Sequence, residues 1–283
     1  ELACDVLSDM LLYASFPPQE IDKERGVIME EERMYQDTPM YRAGWDFEEL
    51  LYGDHPLGWD TIGKEEVIRS VTQADFQKHK DLLYTPNNLV VAFAGKVVRQ
   101  DVEKLAEQYF STITGKKDRT FPPFTLYNKE KVFLRTKATE QAHLVLGVPG
   151  IPSQHKDYFA HKLLGIILGG NMSSRMFLNI REAHGLCYYI STEVDSYLDA
   201  GALATRAGVD QSRLLEAIQR IREEYMICAK DGITSEELHR AKEYLKGKIT
   251  LSLEDSEERA NFYGKQALLY PKIRTIAEYF NEI

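Results

Sequence analysis

Three short apolar runs stand close together in the second half of the chain: "AHLVLGV" (142–148), "CYYISTEV" (187–194) and "GALATRAGV" (201–209). Each is too short for an independent helix, and their length and turn-bounded setting read as strands. Long helical patterns lie between and after them: "DYFAHKLLGIIL" (157–168), "SSRMFLNIREAH" (173–184) with Gly185 as its C-cap, and "QSRLLEAIQRIREEYMICAK" (211–230), ended by Asp-Gly. Thr234 and Glu237 form a capping box for a further helix. Strands grouped beside long helices predict an α+β fold: two related layered domains, each a mostly antiparallel sheet with helices packed on one face.

The first half is predicted to be mainly helical to about Ser70. "FPP" (16–18) separates two helices, the second running from Gln19 to Gln36, and "YGDHPLGWDTIG" (52–63) reads as a loop. Thr72 and Asp75 signal a helix to Leu83. "LVVAFAG" (89–95) reads as a buried strand, followed by an amphipathic helix over 101–113. The polar, proline-containing stretch 115–130 is the expected linker, between a domain over 1–114 and a second over 131–283 that opens with a strand "KVFLR" (131–135). A length of 283 residues suits two such domains. The chain opens and closes inside helical patterns, without a leading cap, so a piece of a longer protein is expected.

The second helix carries an unusual pattern. "KERGVIMEEERM" (23–34) packs acidic side chains among aliphatic ones. At about 100° per residue, Ile21, Val27, Ile28, Met34 and Tyr35 define one apolar stripe, with Glu24 and Glu31 in its middle. Glu30 points away and Glu32 lies on the margin. Two core-facing carboxylates seven residues apart must be paired, protonated or metal-bound. A salt-bridged structural pair and a functional pair both fit.

Other chemistry is sparse. No two of the seven histidines stand four apart, so neither H-E-x-x-H nor H-x-x-E-H is present. No G-x-S-x-G elbow, phosphate loop or G-x-G-x-x-G occurs. "LGGNMSSR" (168–175) has turn glycines but no phosphate-binding lysine. Cys4, Cys187 and Cys228 form no C-x-x-C pair and read as small buried residues. Acidic residues outnumber basic ones by 44 to 35 and are scattered, with no basic, aromatic-laced patch, which argues against nucleic acid as a partner. No run is long enough to span a membrane, and the sequence leaves the compartment open. In "REAHGLCYY" (181–189), Arg181 ends a helix and Tyr188 opens a strand, so the two can converge as donors at the sheet's mouth. A surface arginine beside a cross-strand tyrosine is the plainer reading.

Four ordered stretches resemble the pitrilysin/insulinase family of inverted zinc peptidases, which includes the mitochondrial processing peptidase. They are "EIDKERGVIMEEE", "GDHPLGWDTIGKEEVI" with "YTPNNLVVAFAGKV", "LGGNMSSRMFLNIREAHGLCYYI" and "TSEELHRAKEYLKGKI". The resemblance implies that Glu31 is a zinc ligand, that Glu24 orients the site from behind it, and that Arg181 and Tyr188 grip substrate backbone near the scissile bond. The implied cofactor is Zn²⁺, acting through a bound water, a general-base glutamate and oxyanion donors. The implied substrates are peptides, cut in a chamber enclosed by a homodimer.

This chain departs from the family in lacking H-x-x-E-H, which should lie upstream of Glu1. The domain over 1–114 is then the remainder of the zinc-binding domain. The chain alone is expected to be inactive and to bind zinc weakly or not at all. Two further readings compete with a piece of a zinc endopeptidase: a catalytically silent family member serving as a binding or structural subunit, and a plain α+β interaction module.

Overall fold

The computed structural model describes residues 1–117, 120–125, 127–129 and 131–283. Along the chain the elements are α1 (Leu2–Leu12), α2 (Pro18–Asp37), α3 (Pro39–Tyr52), α4 (Glu65–Ser70), α5 (Gln73–Leu83), α6 (Arg99–Phe110), β1 (Gln141–Pro149), α7 (Tyr158–Gly169), β2 (Cys187–Ser196), β3 (Gly201–Asp210), α8 (Leu214–Asp231), α9 (Ser235–Ser252), α10 (Ser256–Leu269) and α11 (Ile276–Glu282). They form two compact units. One comprises Glu1–Glu30, Lys64–Pro122 and Gly247–Asn281; the other comprises Glu31–Gly63, Pro123–Lys246 and Glu282–Ile283.

In the first unit, α1 packs on α6. Lys80 Nζ donates to the Leu12 carbonyl at the end of α1 (2.6 Å), and Phe16 stacks on Phe76 of α5. The capping box that starts α5 forms as read: Asp75 accepts from the Thr72 amide (2.8 Å) and hydroxyl, and the Thr72 hydroxyl accepts from the Asp75 amide. Arg25 of α2 donates to the carbonyls of Ile68 and Val71, which closes the C-terminus of α4.

The second unit holds an antiparallel sheet in the order β1-β3-β2. Strand alternation gives its two faces different characters. Leu203, Thr205, Ala207 and Val209 of β3 share one face with Ile190, Thr192 and Val194 of β2. There they join a core with Leu168 of α7, Met176, Ile180, Leu186, and Ala217 and Ile221 of α8. Burying each large aliphatic side chain there is worth roughly 1.5–3 kcal/mol relative to exposure. Inside this core a hydroxyl chain satisfies its own polar atoms, Thr192 to Thr205 at 2.8 Å and Thr205 to Tyr225 at 2.9 Å. The opposite face carries small residues and Arg206. Helix α3 crosses it, with Gly44 against the Arg206 guanidinium and Phe47 against Gly147. The α+β class with an antiparallel sheet under helices is the predicted one.

Two predicted strands do not form. Residues 89–95 and 131–135 join no ladder. A strand exists only beside a partner, and among the described residues no other strand lies alongside either segment. Val132 and Leu134 are accordingly more than four-fifths exposed. Of the expected linker, residues 118, 119, 126 and 130 lie outside the described residues. Lys117 within it bonds to Asn87 and Asn88, while Phe124 bonds to Asp199 and Tyr127 to the Gly201 carbonyl.

Candidate functional site

Helix α2 carries both glutamates singled out in the sequence, but turned outward. Glu24 and Glu31 are exposed, as are Val27 (58%) and Met34 (53%), two of the residues that defined the expected inward stripe. The covered line instead runs through Ile21, Arg25, Ile28, Met29, Glu32 and Tyr35, a rotation of about 90° from the expected one. The cause is Arg25. It lays its stem along the covered face and donates from its guanidinium to the carbonyls of Ile68 and Val71, so a charged residue stands on the covered line, outside the stripe expected from the sequence. The expected burial of the two carboxylates is therefore corrected. Glu31 accepts a hydrogen bond from the Tyr35 hydroxyl (3.2 Å), and this bond raises the Tyr35 phenol above its ordinary value. Glu24 makes no hydrogen bond or ion pair among the described residues.

No group of three or more His, Cys, Asp or Glu side chains that could hold a metal occurs among the described residues. A catalytic zinc needs three protein ligands. Glu31 offers one carboxylate, and among the described residues no further His, Cys, Asp or Glu side chains complete a group of three around it.

Arg181 and Tyr188 lie in the sheet-bearing unit, on either side of a tight turn. The helix before the turn ends in a π-helical segment, Phe177–Glu182, a form that occurs mostly as a single-turn bulge within helices and frequently at functional sites. Gly185 takes φ +57°, and its amide donates to the Arg181 carbonyl (3.0 Å), the left-handed cap predicted from the sequence. The Leu186 amide donates to the Ile180 carbonyl. Arg213 holds the turn from outside by donating to the His184 carbonyl (3.2 Å). The chain then enters β2 through an irregularity: Cys187 pairs with Val209 and Tyr189 with Gly208, leaving Tyr188 as the extra residue of a bulge. Tyr188 is 63% exposed as a result. Arg181 is exposed too, its guanidinium 4.9 Å from the centre of the Phe177 ring. Burial pushes the neighbouring Cys187 thiol up to about 11, against a smaller opposite pull from Arg181.

Both predicted donors thus stand on the surface with their polar ends available. Glu31 makes no hydrogen bond or ion pair to either. Three partners were not read from the sequence. Tyr35 and Phe177 each stand four residues from the group they touch, a spacing that could have flagged them. His143 Nδ1 meets the Tyr189 hydroxyl at 2.9 Å across strands, which only register reveals.

A family model described as the peptidase M16 inactive domain matches residues 70–245. The chain belongs to the M16 peptidase family. It is 34% identical to an uncharacterized zinc protease of Bacillus subtilis, YmxG, over 99% of this chain and 68% of that protein. It is also 34% identical to an uncharacterized zinc protease of Mycobacterium leprae, over 100% of this chain and 64% of the relative. This M16 chain thus spans about two thirds of the length of these curated relatives. Its fold is similar to a crystal structure of a peptidase M16 inactive domain from Pseudomonas fluorescens (TM-score 0.84, 20% identity, 94% of this chain and 64% of that one). It is also similar to a chain of complex III2 from Candida albicans (TM-score 0.85, 16% identity, 99% and 69%). No described helix is long and apolar enough to cross a membrane.

Proposed function

We propose that the intact protein is a zinc-dependent endopeptidase of peptides or small proteins, and that this chain supplies one zinc ligand and the substrate grip. The observation that carries the reading is the pair of carboxylates seven residues apart on α2, in a chain one third identical along its whole length to proteins named zinc proteases. Glu31 is the proposed ligand, in a site completed by residues outside this chain, and Glu24 orients that site. Arg181 and Tyr188 donate hydrogen bonds to substrate backbone carbonyls. Residues 1–114 belong to the zinc-binding domain and 131–283 to a second, homologous one. The chain alone, with one ligand, is inactive and binds zinc weakly at most.

The exposure of Glu24 and Glu31 also removes one support for this reading, since no burial cost marks them as functional. It favours a second reading, a catalytically silent subunit, in which the two carboxylates are surface residues of α2. Expressing the full-length protein and assaying zinc and casein hydrolysis, with and without chelator, separates the two. Chelator-sensitive cleavage supports the enzyme; a pure, folded, zinc-free protein without cleavage supports the silent subunit.

One chain carries both the α2 carboxylates and the Arg–Tyr pair, so we infer a homodimer that encloses the substrate. Mixing an Arg181→Ala subunit with a Glu31→Gln subunit tests the geometry. Recovered activity means that the two parts meet across the dimer; none means that they meet within one chain. A fully active monomer in sedimentation rules the homodimer out.

A further inference from the structure

We propose that Phe177 is a positioning residue, which fixes the Arg181 guanidinium for substrate while leaving all its N–H donors free. The inference rests on the reading of Arg181 as a substrate grip. Two other arginines of the same unit are held differently. Arg175 spends two donors on Glu237 and shares one with the Gly232 carbonyl; Arg213 spends its donors on Glu216 and the His184 carbonyl. Such arginines are held through their donors and have few left. Arg181 makes no side-chain hydrogen bond or ion pair among the described residues, although Glu182 follows it in sequence. Its guanidinium lies over the face of the Phe177 ring, 4.9 Å from the centroid.

A ring face attracts the guanidinium through its quadrupole and does not occupy the N–H edges. A long side chain on the surface otherwise loses much rotamer freedom when it binds. The ring therefore pre-pays part of that ordering at no cost in donors. The platform is seated in the core: Met176, which precedes the π-helical segment, and Ile180 within it are 0% and 1% exposed. The ring is thus anchored to the core while the cation it carries faces solvent.

The test uses the full-length enzyme with fluorescein-labelled β-casein as probe, and five proteins: parent, Arg181→Ala, Phe177→Leu, Phe177→Tyr and the Arg181→Ala/Phe177→Leu double variant. Phe177→Leu should lower kcat/KM about two- to fivefold, the loss expected for an exposed cation–ring contact. The loss should divide between KM and kcat as it does in Arg181→Ala. Phe177→Tyr, which keeps the ring face, should match the parent. In the Arg181→Ala background Phe177→Leu should cost nothing further, because the contact is already gone. A purely structural role for the ring predicts the opposite, since damage to the fold multiplies in either background. The inference is overturned if Phe177→Leu equals the parent, if Phe177→Tyr is equally impaired, or if the full loss persists in the double variant. If Arg181→Ala is as active as the parent, the substrate-grip reading fails and this inference with it. If Arg181→Ala is impaired and Phe177→Leu is not, only the inference fails.

Discussion

The Tyr35 hydroxyl donates to Glu31 Oε1 across one turn of α2, at 3.2 Å. This bond selects one orientation of the exposed carboxylate. Groups that hydrogen-bond a metal ligand from behind typically contribute 10–100-fold to metal affinity. Tyr35→Phe in the full-length protein should therefore weaken zinc by about tenfold, read by competition with a chromogenic chelator. Unchanged affinity would mean that Tyr35 plays no part in the site.

Arg175 grips Glu237 with two bonds, 2.6 and 2.9 Å, and Thr234 adds its amide and hydroxyl. The Arg175 guanidinium, with smaller help from Thr234, holds the Glu237 carboxyl down to about 2. A carboxylate with a depressed native pKa stabilises the fold above its unfolded value of about 4.3 and loses that contribution as pH falls toward 2. Glu237→Gln should lower stability at pH 7 by roughly 2–3 kcal/mol and flatten the loss below pH 4.5. Urea midpoints across that range check both. A variant that remains as acid-sensitive as the parent would contradict the assignment.

Glu48 and Asp195 have the opposite sign. Burial raises both, and the nearby Arg206 charge offsets it only in part. Between the unfolded and native values the folded protein binds more protons, so this contribution to stability falls as pH rises. Glu48→Gln removes part of that fall. Its stabilising effect should grow from pH 4 to pH 8, measured by thermal melts, and a constant or shrinking effect would refute it.

Gly169 ends α7 against β2, where an added Cβ meets Thr192 backbone and side-chain atoms. Neither element can yield without disturbing the core. Gly169→Ala should cost ~1–3 kcal/mol, a drop in Tm of about 2–4 °C per kcal/mol. A melt within one degree of the parent would mean that the contact relaxes freely.

These residues also separate what the sequence carried from what it did not. β1, β2 and β3 were legible because each finds its partner inside the chain, so local pattern and ladder agree. Both capping boxes and the Gly185 turn were legible because caps are local chemistry. Residues 89–95 and 131–135 carry the strand pattern without a neighbour to pair with. On α2, Val27 and Met34 were read as core, whereas the covered face holds Arg25, bonded to two carbonyls. The bulge that turns Tyr188 outward depends on register with β3, which no single-strand pattern records.

The central claim, that Glu31 donates a ligand to zinc in the intact protein, is tested most directly by metal content. The full-length protein, its Glu31→Gln variant and its Glu30→Gln variant are dialysed against zinc-free buffer and assayed by atomic emission. The account predicts zinc retained in the parent and in Glu30→Gln, and essentially none in Glu31→Gln. Equal zinc in the two variants would contradict it.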